Sequence, residues 1–298
     1  MTLRDAYFNQ FSELAKSDTS LVLVTADMSA PALDYFRRTW PSRYVNVGVA
    51  EQAAVLVAAG MAMEGWKPVV YGIQNFISLR ACEQLRVAGG LLDLPLTVVG
   101  YGAGFSYAGA SPTHYAVDDM TVVRMVPGVT VWNPSSPAMA AYCARHVGSG
   151  FQYVRLERGE LPNTHYRQGM QYTDMDDMMK DGYIVHAPHK KRYVVTTGGM
   201  VWRMVKVVEE VDAGLVEVFR IPCDVVLALG KRQLAVVEEH HCSGLGGWMR
   251  ELLPDRVVHC KGVGDKKKDF VYGGRDSLLR HNKLHEEDVV RWLKELGW

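Results

Sequence analysis

Tyr44-Val45-Asn46-Val47-Gly48-Val49-Ala50-Glu51-Gln52-Ala53-Ala54 sets one carboxylate, Glu51, where a strand-like run gives way to a helix. From Ala50 to Met63 the helix carries no polar residue after Gln52. A helix that is apolar on every side belongs in a core or at a subunit interface. Ionising a buried carboxylate is costly without a partner. Two roles for Glu51 are open: a structural acid favoured by the helix dipole, or a carboxylate held ready for something that binds there.

The surrounding sequence alternates strands and helices. Leu21–Thr25, Pro68–Gly72, Leu96–Gly100, Val129–Trp132 and Gln152–Leu156 read as short continuous apolar strands. Leu3–Lys16, Ala50–Met63, Leu79–Gly89, Ala116–Met125 and Pro137–His146 read as helices between them. This pattern predicts a parallel sheet covered on both faces, with ligands at the carboxyl ends of its strands. The polar stretch from Gly159 to Lys191 reads as a linker. A second α/β unit follows, with strands Tyr193–Thr197, Gly214–Phe219, Leu234–Glu238 and Val257–Cys260 and helices Val201–Asp212, Gly247–Leu253 and Glu286–Leu296. Ser243-Gly244-Leu245-Gly246-Gly247 is not a G-x-G-x-x-G fingerprint and reads as a strand-to-helix turn. Lys266-Lys267-Lys268 reads as a solvated loop.

The 298 residues suggest about two domains, at ~100–200 residues each. Lys+Arg and Asp+Glu both number 33, so no global charge argues for nucleic acid or an anionic membrane. The start, Met1 to Tyr7, lacks the basic-then-apolar order of a secretory signal, and no apolar run approaches the ~18 residues that span a bilayer. The five cysteines are scattered, without a C-x-x-C pair, as for free thiols in a reducing cytoplasm. His240-His241-Cys242 has adjacent rather than spaced ligand types, which argues against a metal site.

Three ordered segments carry a resemblance. They are Asn46–Gln52 with Ala58-Ala59-Gly60-Met61-Ala62, then Asn75–Arg86, then Pro112–Asp119 with Arg124-Met125-Val126-Pro127 and Asn133–Pro137. Together they resemble the pyrimidine-binding domain of transketolases and 1-deoxyxylulose-5-phosphate synthases; Val237–His240 and Gly244-Leu245-Gly246 resemble that family's C-terminal domain. The resemblance implies an α/β fold of two doubly wound domains: a thiamine diphosphate pyrimidine-binding domain at 1–165, a linker at 166–190 and a smaller transketolase C-terminal-like domain at 191–298.

The same resemblance assigns roles. Glu51 matches the glutamate that hydrogen-bonds pyrimidine N1′ of thiamine diphosphate and activates it by acid–base catalysis relayed through the cofactor ring. Phe76 matches an aromatic packed on the aminopyrimidine, and Asp27 matches an acidic residue near the cofactor. Ile73, with Leu79, stands where larger transketolases offer further aromatics around that ring. His114 matches a histidine beside the reacting centre; its bland alternative is a loop histidine capping the helix near Ala116. Arg158 matches an arginine that holds a sugar-phosphate tail. Arg80 and Arg86, whose helical spacing does not share one face, read as structural or interface charges.

Full-length members of the family begin with a diphosphate-binding domain whose Gly-Asp-Gly and a downstream Asn hold Mg²⁺ or Ca²⁺. No Gly-Asp-Gly occurs here. The expectation is therefore a β-type subunit of a split transketolase, with an α-type partner supplying the metal and diphosphate site, in an α₂β₂ assembly that also self-associates through the pyrimidine domain. Ala110-Ser111 stands where transketolases have Asp-Gly before Pro-Thr-His, and an upstream histidine is replaced by glycines and Ala103. Those losses from the sugar pocket predict an unusual donor or acceptor. Two other readings stay open: the β subunit of a 2-oxo acid dehydrogenase E1 component, and a non-catalytic scaffold subunit.

Overall fold

The computed structural model describes residues 1–163, 175–189, 191–264 and 271–298. The lysines Lys266-Lys267-Lys268 lie outside these residues, as do 166–174 and 190 of the expected linker. Among the described residues, twelve strands form two sheets. The first comprises β1 (Leu21–Thr25), β2 (Tyr44–Asn46), β3 (Lys67–Ile73), β4 (Thr97–Tyr101), β5 (Thr130–Trp132), β6 (Gln152–Leu156) and β10 (Arg220–Ile221). The second comprises β7 (Tyr183–Ala187), β8 (Arg192–Thr196), β9 (Gly214–Val218), β11 (Gln233–His241) and β12 (Val258–Val263).

In the first sheet the order is β10-β5-β6-β4-β3-β1-β2, parallel except at β10. β1 and β6 are buried at every position, as an apolar run covered on both faces requires. Helix Leu3–Leu14, capped by the Thr2 hydroxyl accepting from Asp5 N, packs with helix Pro137–Cys143 on one face. Helix Glu51–Met63 packs against β3. Its apolar core includes Ala54, Val55, Val70 and Met120 and runs on into Val195, Val216 and Met249 beside the second sheet.

That second sheet, ordered β12-β11-β8-β9-β7, is parallel except for β7 against β9. Three differences from the sequence expectation stand out. Tyr183–Ala187 falls within the expected linker yet forms an edge strand, where buried His186 Nε2 meets buried Glu217 Oε2 at 2.7 Å. Arg220–Ile221 leaves the second unit to pair antiparallel with β5 of the first sheet. Finally, 76–91 is not one regular helix: π-helical turns at Phe76–Arg80 and Arg86–Leu91 flank a short α-helical piece, Cys82–Leu85.

A buried polar cluster closes the seam between the sheets. Arg155 of β6 and Asp119 of helix Asp119–Val123 are 3% and 0% exposed. The guanidinium grips the carboxylate through Nε–Oδ2 (2.7 Å) and Nη2–Oδ1 (2.9 Å). Gln74 Nε2 (2.7 Å) and the Tyr153 hydroxyl (3.0 Å) also donate to Asp119 Oδ2. From the second sheet, His240 Nε2 accepts Met120 N–H at 3.2 Å, while its Nδ1 lies 2.8 Å from the His241 carbonyl. Burial and nearby Arg155 push His240 down to about 4, against the pull of Asp119, so the ring is neutral with its proton on Nδ1. Glu238 accepts Leu245 N–H (2.7 Å) and Gly246 N–H (2.9 Å), and burial pushes its carboxyl up to about 7.

Two expectations follow. Arg155→Met leaves Asp119 buried without its cation, so chemical denaturation should show a loss of about 3–5 kcal/mol; a loss under about 1 kcal/mol would mean the pair is dispensable. The two perturbed groups act in opposite senses with pH. Unfolded His240 takes a proton below its ordinary 6.5, which the fold refuses until about 4, so it withdraws stability on acidification. Glu238 is raised from 4.5 to about 7, so its contribution is full at low pH and lost as pH rises through 7. Between pH 4.5 and 6.5 the two nearly cancel. Glu238→Gln should therefore make unfolding free energy fall on acidification across that window, and His240→Gln should make it rise; parallel profiles for both variants would contradict this assignment.

Candidate active site

The candidate residues all lie beyond carboxyl ends of first-sheet strands. Asp27 follows β1, Glu51 follows β2, Ile73 ends β3 with Phe76 just beyond, His114 follows β4 and Arg158 follows β6. The chain passes from β1 to β2 on one side and then crosses to β3 on the other, a reversal of strand order that opens a crevice.

Glu51 is the first residue of its helix and only 4% exposed. Arg80 Nη1 donates to Glu51 Oε2 at 2.8 Å. Arg80 is thus a structural charge, one of the two roles expected of it, though its pairing with Glu51 is not expected: α-helical spacing does not describe the π-helical turn from Phe76 to Arg80, whose two ends meet. The Arg80 guanidinium lies 4.3 Å from the Phe76 ring centroid. Arg86, by contrast, is exposed at the start of the next π-helical turn.

Phe76 also meets His114, with ring centroids 4.9 Å apart and planes tilted by 58°. His114 closes the short 3₁₀ turn Pro112–His114 and does not cap the following helix, which starts at Asp119. Asn75 Nδ2 donates to the Thr113 carbonyl at 2.9 Å, joining the two loops. The Thr113 hydroxyl lies 3.0 Å from His114 Nδ1 and 2.9 Å from the Ser111 hydroxyl, an arrangement that leaves Nε2 for other partners. Tyr107 then lies 5.8 Å from His114, and the exposed Arg158 guanidinium lies 4.9 Å from the Tyr107 ring centroid. Glu51, Arg80, Phe76, His114, Tyr107 and Arg158 form one unbroken chain of contacts.

Asp27 and Ile73 border this chain without joining it. Asp27 is exposed in a left-handed conformation (φ 52°) and exchanges two hydrogen bonds with Asn46, whose Oδ1 also accepts Gly48 N–H. Ile73 is half-buried opposite Tyr101 of β4. Sequence reasoning missed Arg80 as the partner of Glu51 and missed Tyr107 altogether. The only signal was the run of ring-bearing and cationic residues at strand ends, which gives no pairing.

Two acceptor oxygens near these contacts stand without partners. Glu51 Oε1 has no hydrogen-bond partner among the described residues, and Asn75 Oδ1 is buried without one. Helix Glu51–Met63 also leaves apolar side chains open to solvent, Leu56 (55% exposed) and, at its far end, Met63 (67%).

Comparison with known proteins places the chain. Residues 1–163 match the family described as transketolase, pyrimidine binding domain, and the protein belongs to that family. It is 28% identical to one subunit of the apulose-4-phosphate transketolase of Actinobacillus succinogenes, over 97% of this chain and 96% of the relative. It is also 28% identical to the 6-deoxy-6-sulfo-D-fructose transketolase subunit SqwH of a Clostridium species, over 99% and 94%. Its fold matches a split gene transketolase solved as an inactive beta4 tetramer, with a TM-score of 0.81 at 24% identity over 99% of this chain and 97% of that one.

Glu51→Gln retains an oxygen for Arg80 and removes a partly screened charge. Its unfolding free energy should stay within about 1 kcal/mol of the parent. A loss above about 3 kcal/mol would make Glu51 a structural acid.

Proposed function

We propose that this chain is the β-type subunit of a thiamine diphosphate-dependent split transketolase. It moves a two-carbon ketol unit from a ketose donor to an aldehyde or sugar acceptor, in the cytosol, once an α-type diphosphate-binding subunit completes the site. The observation that carries the reading is the continuous chain of contacts from Glu51 to Arg158.

Glu51, Phe76 and Asn75 are the residues that would hold the aminopyrimidine, with Asp27 and Ile73 at its border. When bound, thiamine diphosphate supplies the electron sink for breaking the carbon–carbon bond beside the donor carbonyl. Glu51 would offer Oε1 to the ring's nitrogen and hold a proton there, while Arg80 fixes the other oxygen. Without that fixed oxygen the carboxyl could turn away from the ring. His114 Nε2 hydrogen-bonds substrate oxygens and exchanges protons with them. Arg158 offers a two-pronged fork to an oxyanion at the far end of the ketose.

The names of the two relatives suggest the substrate class: one phosphorylated and one sulfonated ketose, each ending in an oxyanion. Ala110-Ser111 removes the carboxylate expected ahead of Pro112 and fits a donor unlike ordinary pentose phosphates. Both relatives are named as subunits of their enzymes, and this fact and the open face at Leu56 and Met63 support an α-type partner. Exposed apolar surface of this kind marks an interaction site. In this reading the partner provides the Mg²⁺ or Ca²⁺ ligands, the assembly is α₂β₂, and copies of the pyrimidine domain also meet each other.

Reconstitution with the diphosphate-binding subunit tests the proposal. Glu51→Gln should lower ketol transfer by about 100-fold or more while the complex still assembles. Undiminished transfer by that variant would overturn the role of Glu51, and turnover of 2-oxo acids but no ketose would overturn the transketolase reading.

A further inference from the structure

The loop after β4 runs Gly102-Ala103-Gly104-Phe105-Ser106-Tyr107 before reaching His114. Gly102 adopts φ +109°, and a Cβ there would collide with Tyr107 Cδ2. The backbone at Gly102 thus forms a slot that only a residue without a side chain leaves open for the Tyr107 ring. Behind the ring, Tyr101 packs edge-on with centroids 5.9 Å apart and planes at 88°. Tyr101 is itself covered by the Arg4 guanidinium, 4.8 Å from its centroid. The ring is therefore held on two sides by groups remote from the chemistry.

Its remaining surroundings are functional. Arg158 lies over the ring and His114 beside it. Among the described residues, Arg158 is otherwise tied only through its backbone N–H, which donates to the Ser106 hydroxyl at 3.1 Å. The described residues provide no carboxylate for its guanidinium, so the aromatic face is what directs an exposed and flexible side chain. The Tyr107 hydroxyl has no hydrogen-bond partner among the described residues, so the ring rather than the hydroxyl forms these contacts. Burial also pushes the phenol up, so it stays neutral and does not repel an anion.

We propose that Tyr107 is a positioning residue that sets substrate class: its ring aims the Arg158 fork at a terminal phosphate or sulfonate of the ketose. The inference rests on the transketolase reading above. A guanidinium held against an aromatic face loses less freedom when it binds an oxyanion than one that must first be ordered. The ring thus favours donors with a charged tail over donors without one. Since Tyr107 also touches His114, selectivity between donors, and not the absolute rate, is the quantity that separates this role from a general structural one.

The test uses the reconstituted complex with three donors: a ketose phosphate, a ketose sulfonate, and uncharged erythrulose. Tyr107→Leu should raise KM for the anionic donors more than it lowers kcat. The ratio of their kcat/KM to that for erythrulose should fall about tenfold, in line with a partly desolvated cation–π contact. Tyr107→Phe should preserve the ratio. In an Arg158→Gln background, Tyr107→Leu should no longer change it. Tyr107→Met, which fills the slot without an aromatic face, serves in the same way if the leucine variant does not fold. An equal loss for charged and uncharged donors would overturn the proposal, as would a phenylalanine variant as defective as the leucine one. A fall for only one of the two anions identifies which tail Arg158 reads and supports the role. A complex that turns over none of the ketoses overturns the transketolase reading and this inference together.

Discussion

The buried pair of Arg155 and Asp119 is the interaction on which the rest of the molecule hangs. A guanidinium and a carboxylate that have both lost water are tolerable only when each is fully hydrogen-bonded, and here several elements contribute. Arg155 and Tyr153 come from β6, Gln74 from the end of β3, Asp119 from the loop-to-helix junction after His114, and His240 from the second sheet. The requirement to satisfy one buried ion pair therefore locks two units to each other. It also fixes the roots of the two loops that carry Phe76 and His114.

Above that anchor the site is assembled by contacts of a different kind. Only the first link, Glu51 to Arg80, is an ion pair; the rest are faces of rings and guanidinium groups. Such contacts tolerate small shifts, so the outer site can adapt to a substrate while its base stays rigid. A second, smaller clamp braces the far side. Arg275 reaches Glu239 and Glu157, and Glu239 Oε1 in turn accepts Phe105 N–H at 2.8 Å in the loop that presents Tyr107. The second unit thus has a direct hold on the loop that carries Tyr107.

Much of this is legible in the sequence, and the reasons differ by residue. Leu21–Thr25 and Gln152–Leu156 are read at their observed bounds because continuous burial leaves an unbroken apolar run. The all-apolar stretch after Gln52 signals a helix of core or interface, and one face does pack into the core (Ala54, Val55, Ala58, Ala59, Ala62) while Leu56, Val57 and Met63 are exposed. What stays hidden depends on tertiary partners. Tyr183–Ala187 reads as linker because nothing in the sequence pairs His186 with Glu217, which arrives from a distant strand. Helix Pro31–Thr39 and helix Arg275–His281 go unread, although Pro31 is a good first-turn residue. Residues 76–91 defeat periodicity altogether, since a π-helical turn follows no 3.6-residue spacing, and with that spacing goes the reach of Arg80 to Glu51.

The central claim is one of ownership: this chain holds the pyrimidine and substrate half of an active site whose diphosphate half lies on another polypeptide. Titration calorimetry with thiamine diphosphate and Mg²⁺ tests it most directly, comparing the isolated chain with the complex it forms with a diphosphate-binding subunit. The account predicts saturable tight binding by the complex and none by the chain alone. Tight binding by the isolated chain would contradict it.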